Sequence, residues 1–207
     1  MQPTVDILIF GGAFDPPHVG HTTVVQEVLA ANYAQQVVIM PVGQHPFDKH
    51  LSPASHRLAM VQHAFASLQD KYPERLLIDT FELGQKNISF TYHTVTEYKN
   101  IYPNKTIGIL IGSDNVAAFD SWKFSQELRT ESQIFVYPRA GYDVTQDMLQ
   151  GMVLLTDVSV VKSASSTIRK ELLQTKVSEF VDPMVLQYIL QNNLLQYWDD
   201  DATNSNN

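Results

Sequence analysis

The feature that most limits the fold of this chain is a series of six short apolar runs. They are rich in β-branched residues and continuously apolar rather than alternating, which is typical of strands covered on both faces. The first runs from Val5 to Phe10, and the others end at Met40, Phe81, Gly112, Pro138 and Val161. Helical patterns separate them, among them Val24 to Leu29, Leu58 to Leu68 and Tyr92 to Tyr98. This alternation predicts an α/β fold with a doubly wound parallel sheet.

The end of the chain departs from that alternation. After Val161 the apolar pattern is helical only, and it predicts helices from Ser166 to Gln174 and from Val185 to Leu195. We therefore expect a Rossmann-like sheet followed by C-terminal helices, within one domain that spans residues 1–198. Residues 199–207, "DDDATNSNN", are polar and predict a disordered tail.

The charge balance limits the partners of this protein. With 14 basic and 22 acidic residues, the net charge of −8 repels nucleic acids and anionic membranes. The chain has no cysteine, which excludes disulfides, zinc–cysteine sites and thiol nucleophiles. No apolar stretch approaches the ~18 residues that a membrane span needs, and the N-terminus lacks a secretory pattern. We expect a cytoplasmic protein with no nucleic-acid or membrane partner.

Ligand chemistry is indicated where the first run ends, in "GGAFDPPHVGH" from Gly11 to His21. Glycines at a strand end let a ligand approach the main chain, and Asp15 can cap a helix that begins after the prolines. A helix N-terminus binds anions, and His18 and His21, three residues apart, are expected to share one face as hydrogen-bond donors. The stretch predicts a phosphate site. The alternatives are a plain tight turn and a histidine metal pair, for which no further ligands lie nearby.

Two further segments predict nucleotide contacts. In "SSTIRK", the hydroxyls of Ser166 and Thr167 can cap a helix, and Arg169 adds charge-assisted hydrogen bonds to phosphate. In "LIGSDN", Gly112 and Asp114 follow a strand, where a carboxylate can accept hydrogen bonds from a ribose hydroxyl. The alternatives are a simple serine cap and a short aspartate turn.

The stretch "GGAFDPPHVGH" resembles the signature of the H-x-G-H nucleotidyltransferases, and its double proline resembles the nicotinate-nucleotide adenylyltransferase family. The resemblance continues in the family's order through "MPVGQHPFDK", "NISFTYHTV", "LIGSDNVAAFDSWKFSQEL" and "SASSTIRKEL". It implies transfer of AMP from ATP to nicotinate mononucleotide in NAD biosynthesis. Pyrophosphate would leave, and Mg²⁺ would be carried by the ATP phosphates without protein side chains as ligands.

The same resemblance implies roles for individual residues. The expected catalytic residues are His18, His21 and Arg169. The expected ATP-binding residues are Gly11, Gly12, Ala13, Phe14, His18, His21, Gly112, Asp114, Ser166, Thr167 and Arg169. The mononucleotide would be held by Lys49, Thr91, Trp122 and Lys123, with the Trp122 ring stacked on the pyridine ring.

The chain departs from the family pattern at three places. Ala13 stands where the family commonly has Thr or Ser, His93 stands where an acidic residue is usual, and "QHPFDK" differs from the usual double-proline loop. One alternative function is the same reaction on nicotinamide mononucleotide or on another phosphate acceptor such as phosphopantetheine. Another is a non-catalytic nucleotide-binding module, which the loss of a hydroxyl at Ala13 favours and the presence of His18 and His21 disfavours.

Overall fold

The computed structural model describes residues 5–43, 51–85, 88 and 90–199. Its centre is a parallel sheet of six strands in the order β3-β2-β1-β4-β5-β6. The strands are β1 (Val5–Gly12), β2 (Ala34–Pro41), β3 (Leu76–Ile78), β4 (Ile107–Gly112), β5 (Gln133–Tyr137) and β6 (Val153–Leu154). The prediction of a doubly wound parallel sheet is therefore confirmed.

Helices cover both faces of the sheet. They are α1 (Val19–Ala30), α2 (Ala54–Lys71), α3 (Thr91–Ile101), α4 (Ser125–Glu131), α5 (Gln146–Leu149), α6 (Ser165–Thr175) and α7 (Pro183–Gln191). In β1, Leu8 and Phe10 pack with α1, α2, α6 and α7, whereas Ile7 and Ile9 pack with α3, α4 and α5. Because successive strand residues face opposite sides, a continuously apolar strand supplies both cores. Within the described ranges, no helix is long and apolar enough to cross a membrane.

The sixth apolar run is not the long strand that its sequence predicts. The strand is limited to Val153–Leu154, with one more backbone hydrogen bond from Leu155 to the Val136 carbonyl. The following residues pass over α1, and Val161 returns to form an isolated parallel bridge with Arg139, beyond the end of β5. Ser159 donates hydrogen bonds from its backbone and its hydroxyl to the carboxylate of Glu27 in α1, at 2.7 and 2.6 Å. Leu155, Val158 and Val161 are nevertheless buried, because they pack in the core on the α1 side. The apolar residues of this run are therefore buried, but as part of a segment that passes over α1 and not as a strand.

The C-terminal helices are found where the sequence predicts them. Helix α6 matches the predicted segment within one residue at each end, but α7 stops at Gln191 rather than Leu195. Asn193 has a left-handed backbone, with φ of 53°, which ends the helix. A short 3-10 helix, Leu194–Tyr197, follows and leads to Trp198, which is 1% exposed.

The sheet topology places one crevice at its centre. Strands β1 and β4 are neighbours at the centre of the sheet. The chain runs from β1 to β2 on one side and from β4 to β5 on the other, so the strand order reverses between β1 and β4. Their pairing runs from Ile7 beside Ile107 to Ile9 beside Ile109 and stops before either strand ends. Ligands of doubly wound sheets bind beyond the carboxyl ends of the strands at this point. Gly12 and Gly112 end the two strands here.

Candidate active site

The β1–α1 junction, residues 11–18, forms the floor of the crevice. Gly11 is exposed, and a Cβ added to it would meet no atom within 4 Å, so the main chain is open to a ligand. Phe14 has a left-handed backbone, with φ of 49°. Its buried ring packs edge-on against Phe10, with 5.7 Å between ring centroids. Since the Phe14 side chain belongs to the core, only its backbone can face the crevice.

Asp15 does not cap α1, so this prediction is wrong. The helix begins at Val19, and His18 holds the N-cap position. The Asp15 carboxylate is fully buried and turns into the protein, where it accepts hydrogen bonds from the Ser52 backbone N–H at 2.9 Å and the Trp198 indole at 3.2 Å. The prolines at 16 and 17 separate the carboxylate from the first helical turn, so it cannot reach the helix N–H groups.

The two histidines of the junction lie face to face, as their spacing predicts. Their ring centroids are 3.8 Å apart with an angle of 31° between the planes. Nδ1 of His21 accepts a hydrogen bond from the His18 backbone N–H at 3.1 Å, and Nδ1 of His18 lies 3.1 Å from the Ser163 hydroxyl. Both rings are therefore fixed at the start of α1.

Both imidazoles are neutral at physiological pH. Burial lowers the pKa of His18 to about 3, with a smaller contribution from the positive charge of Arg139. Burial also holds the pKa of His21 well below its usual value, and electrostatic interactions with the neighbouring His18 ring and with the Arg139 guanidinium act in the same direction. Neutral rings can donate hydrogen bonds to phosphate oxygens without the cost of burying a cation.

The segment that crosses over α1 also explains the glycine between the two histidines. A Cβ on Gly20 would lie 2.6 Å from Cγ1 of Val161 and 3.0 Å from Nδ1 of His18. No larger residue fits without moving one of these groups. Ser163, on the same segment, is buried and reaches His18. Val161 and Ser163, at the end of this segment, therefore pack against the start of α1 beside His18.

At the end of β4, Asp114 is held by an arginine that the sequence did not suggest. Nη1 of Arg139 lies 2.8 Å from Oδ2 of Asp114, and Nη2 donates to the Ser163 carbonyl at 3.0 Å. Gly112 makes room for this pair, because an added Cβ would overlap Oδ1 of Asp114 and lie 2.8 Å from Cδ of Arg139. The carboxylate keeps lone pairs for a further donor, such as a hydroxyl.

The expected serine cap of α6 is wrong. The N-cap is Ala164, without a side-chain cap, and Ser166 and Thr167 lie inside the first helical turn with exposed side chains. Ser165 instead donates to the Pro16 carbonyl at 3.0 Å. The helix starts earlier than expected because Ala164 takes the extended backbone of an N-cap. The hydroxyls of Ser166 and Thr167 thus project from a helix N-terminus docked on the junction.

Arg169 joins α6 to the same junction. Its Nη1 donates to the Asp15 carbonyl at 2.9 Å, and the side chain is half-buried. The guanidinium therefore lies beside the backbone that carries the histidines. Three elements distant in sequence, namely β1–α1, β4 and α6, meet at one crevice.

The residues predicted to hold the mononucleotide lie on two contacting segments. Thr91 is the first residue of α3, where backbone N–H groups lack helical partners. Trp122 is half-buried and packs on Phe119, with 5.1 Å between centroids. Nζ of Lys123 lies 4.6 Å from the centre of the Phe90 ring, which brings the two segments together. Lys49 lies outside the described residues.

Sequence reasoning missed four residues that shape this site. They are Arg57, Arg139, Ser163 and Trp198. Arg57 is 2% exposed and donates to the carbonyls of Ser52, Ala13 and Gly43. The position of Arg57, as one basic residue in an amphipathic helix, gives no sequence signal that it binds backbone carbonyls. Arg139 could have been found, because it directly follows a predicted strand end at Pro138.

The described residues contain no group of three or more acidic or histidine side chains that could hold a metal ion. His18 and His21 are the nearest candidates, and their Nδ1 atoms are engaged with a hydroxyl and a backbone N–H. The Arg169 guanidinium and the N-terminus of α1 beside these rings suit an anion.

Comparison with known proteins identifies the family. The sequence model of a family described as "Cytidylyltransferase-like" matches residues 9–172. A Bacteroides fragilis protein named "Probable nicotinate-nucleotide adenylyltransferase" is 33% identical over 186 residues, which cover 88% of this chain and 90% of that protein. The chain belongs to the nicotinate-nucleotide adenylyltransferase family. A Leptospira interrogans protein of the same name is 31% identical over 191 residues, covering 90% and 94% of the two chains.

Solved structures of this family share the fold. A Plasmodium falciparum nicotinic acid mononucleotide adenylyltransferase complexed with APC superposes with a TM-score of 0.79 at 20% identity, covering 93% of this chain and 98% of that one. The same Plasmodium protein complexed with NaAD gives a TM-score of 0.76 at equal identity. The Rossmann-like architecture thus persists in the family where few residues are shared.

Proposed function

We propose that this protein transfers the AMP group of ATP to nicotinate mononucleotide, which gives the dinucleotide and pyrophosphate in NAD biosynthesis. The observation that carries the proposal is the pair of neutral imidazoles at the N-terminus of α1, in the central crevice of a chain of this family. The names of the relatives and the NaAD complex of the Plasmodium protein support nicotinate mononucleotide as the acceptor.

The reaction needs no protein nucleophile. A phosphate oxygen of the mononucleotide attacks the α-phosphorus of ATP, and the bond from that phosphorus to the bridging oxygen of pyrophosphate breaks. The protein aligns the two phosphates and stabilises the charge that builds on their oxygens. His18 and His21 would supply the donors for this task, and the N-terminus of α1, where both lie, supports that role.

On the ATP side, we propose that the backbone from Gly11 to Phe14 lines the phosphates. Gly112 and Asp114 would contact the nucleoside, with the Asp114 carboxylate accepting from a ribose hydroxyl while Arg139 holds it. The exposed hydroxyls of Ser166 and Thr167, with Arg169, would take the β- and γ-phosphates at the start of α6. Mg²⁺ would enter bound to the ATP phosphates and neutralise part of their charge.

On the mononucleotide side, Trp122 would stack on the pyridine ring, and Lys49 would approach the phosphates. Backbone N–H groups near Thr91 and Lys123 would face the substituent of the ring. A carboxylate accepts hydrogen bonds only, whereas an amide also presents a donor that opposes those N–H groups. This arrangement favours the nicotinate form over the amide. We propose that residues 1–198 act as one nucleotidyltransferase domain.

The deciding experiment follows pyrophosphate release from ATP and Mg²⁺ with each acceptor. We expect turnover with nicotinate mononucleotide and a lower kcat/KM with nicotinamide mononucleotide. Phosphopantetheine serves as the control acceptor and should give no pyrophosphate above background. A preference for the amide would refute the acceptor assignment and leave adenylyl transfer standing. Binding of ATP without turnover on any acceptor would refute the enzyme and favour a nucleotide-binding module.

A further inference from the structure

A buried polar network lies beneath the junction and includes the end of the described chain. Its members are Asp15, Ser52, Arg57 and Trp198, which are 0%, 2%, 2% and 1% exposed. Burying a polar group without a hydrogen-bond partner costs folding free energy. A network of buried side chains that satisfy one another is therefore held in one arrangement by its hydrogen bonds. These four side chains come from three separate parts of the sequence.

Trp198 is the member with the clearest geometry. Its indole N–H lies 3.2 Å from Oδ1 of Asp15 and 3.0 Å from Oγ of Ser52, so one donor serves both acceptors. The second carboxylate oxygen of Asp15 accepts the Ser52 backbone N–H at 2.9 Å. The carboxylate is therefore held on both sides, once by the segment before α2 and once by the C-terminal segment.

The backbone on either side of the Asp15 carboxylate is held by two arginines. Arg57 donates to the Ala13 carbonyl at 3.1 Å, and Arg169 donates to the Asp15 carbonyl at 2.9 Å. Burial lowers the pKa of Arg57, and the nearby Asp15 carboxylate opposes that shift. The junction thus has fixed contacts at 13 and 15, directly before the prolines that lead to His18.

We propose that Trp198 is a positioning residue for the β1–α1 junction and acts through Asp15. Loss of its N–H would leave the Asp15 carboxylate with fewer donors and let the Asp15 backbone shift. His18 follows only two prolines later, so the shift would reach the imidazole pair. The catalytic part of this inference rests on the function proposed above, and the structural part does not.

The test compares Trp198→Phe with Tyr188→Phe. The first substitution keeps an aromatic ring in the core and removes the N–H. The second removes one hydrogen bond of similar length, between the Tyr188 hydroxyl and Nδ1 of His56 at 2.9 Å, in the same C-terminal region but away from the junction. Trp198→Phe removes a donor that serves two acceptors and some ring volume, whereas Tyr188→Phe removes one hydrogen bond. The comparison therefore reports on the junction through the place where the protein changes, and Asp15→Asn repeats the test without the loss of ring volume.

Hydrogen–deuterium exchange gives a readout that needs no activity. We expect Trp198→Phe to exchange faster at the amides of Ala13, Phe14, Asp15 and His18, and Tyr188→Phe to match the wild type there. Equal exchange of these amides in the two variants overturns the proposal. Asp15→Asn is the second variant, and it replaces Trp198→Phe in the test if Trp198→Phe does not fold. It keeps the core volume but presents an NH₂ group to one of the two donors that now hold the carboxylate. We expect it to exchange faster than the wild type at the same four amides.

Turnover tests the catalytic part. Because misplacement of reacting groups by about 1 Å can cost up to 10²-fold, we expect kcat to fall about tenfold in Trp198→Phe at a temperature where both variants are folded. KM for the mononucleotide should stay unchanged, and Tyr188→Phe should keep wild-type kcat. Equal kcat in the two variants overturns the proposal. A wild-type protein without turnover would refute the proposed function instead, and the exchange comparison would still decide the role of Trp198.

Discussion

Nδ1 of His21 lies 3.1 Å from the backbone nitrogen of His18 and accepts its hydrogen bond. Burial holds the pKa of the His21 ring well below its usual value, so the ring carries a single proton. Since Nδ1 is the acceptor, that proton is on Nε2, and Nε2–H is the group that can donate to a phosphate oxygen. One backbone contact thus fixes which nitrogen of His21 can donate a hydrogen bond to a ligand.

This tautomer predicts different outcomes for two amide substitutions at His21. His21→Asn can keep an acceptor for the His18 N–H but loses the distal donor, whereas His21→Gln can place its amide NH₂ near the position of Nε2. We expect Asn, like Ala, to lower kcat by about 10²- to 10³-fold, the usual cost of one preorganised donor. The Gln variant should retain more turnover than Asn. Activity of His21→Ala within threefold of wild type would remove His21 from the mechanism.

Stability should fall on acidification because of the histidine pair. The pKa of His18 is about 3 in the folded protein and near 6.5 in the unfolded chain, so below about pH 6.5 the unfolded state binds the extra proton. We expect His18 alone to reduce the free energy of unfolding by about 1–2 kcal/mol between pH 7.5 and pH 5. Urea denaturation at both pH values measures this. His18→Asn should show a weaker pH dependence, and an unchanged dependence contradicts the prediction.

Arg169 should be needed for the leaving pyrophosphate. Arg169→Ala removes a guanidinium from the junction, and we expect kcat/KM for ATP to fall by about 10-fold or more. Arg169→Lys keeps the charge but loses the planar fork, so it should be impaired as well. Lys170→Ala is the matched control, because its side chain is exposed on the same helix. Equal ATP affinity and turnover in Arg169→Ala and Lys170→Ala would make Arg169 structural.

Trp122 should affect the mononucleotide and not ATP. Trp122→Ala removes the stacking face, and we expect both pyridine mononucleotides to bind about 5- to 150-fold more weakly, which corresponds to ~1–3 kcal/mol for a stacked base. Since stacking does not distinguish acid from amide, the two losses should be similar. Tyr142→Ala, which removes an exposed aromatic ring, should change neither affinity. Weaker ATP binding alone would move Trp122 to the other half of the site.

Gly20 should not tolerate a side chain. The Cβ of Gly20→Ala would lie 2.6 Å from Cγ1 of Val161, and we expect a lower Tm together with lower kcat because His18 is displaced too. Val161→Ala in the same chain should restore part of the Tm, since it removes the nearer of the two contacts. Thermal unfolding of the single and double variants measures this coupling. Additive losses in the double variant would show that Val161 is not the obstacle.

The sequence predicted most of the sheet because its information is local. All six residues of β4 are buried, as its unbroken apolar run implies, and the glycines at the ends of β1 and β4 mark the crevice. The face shared by His18 and His21 also follows from their spacing on one helix start. The prediction failed after Leu154, because apolar residues look the same in a strand and in a segment packed across a helix.

What the sequence determined by itself is the α/β architecture, the family, and the pair of histidines at the crevice that is proposed to bind phosphate. Only the tertiary structure decided which contacts hold the residues around that crevice: Arg139 on Asp114, Val161 on Gly20, and Trp198 on Asp15. The physical reason is sequence distance. The partners in each pair lie 25, 141 and 183 residues apart, and no periodicity or propensity along the chain records a contact that forms only when the sheet brings those segments together.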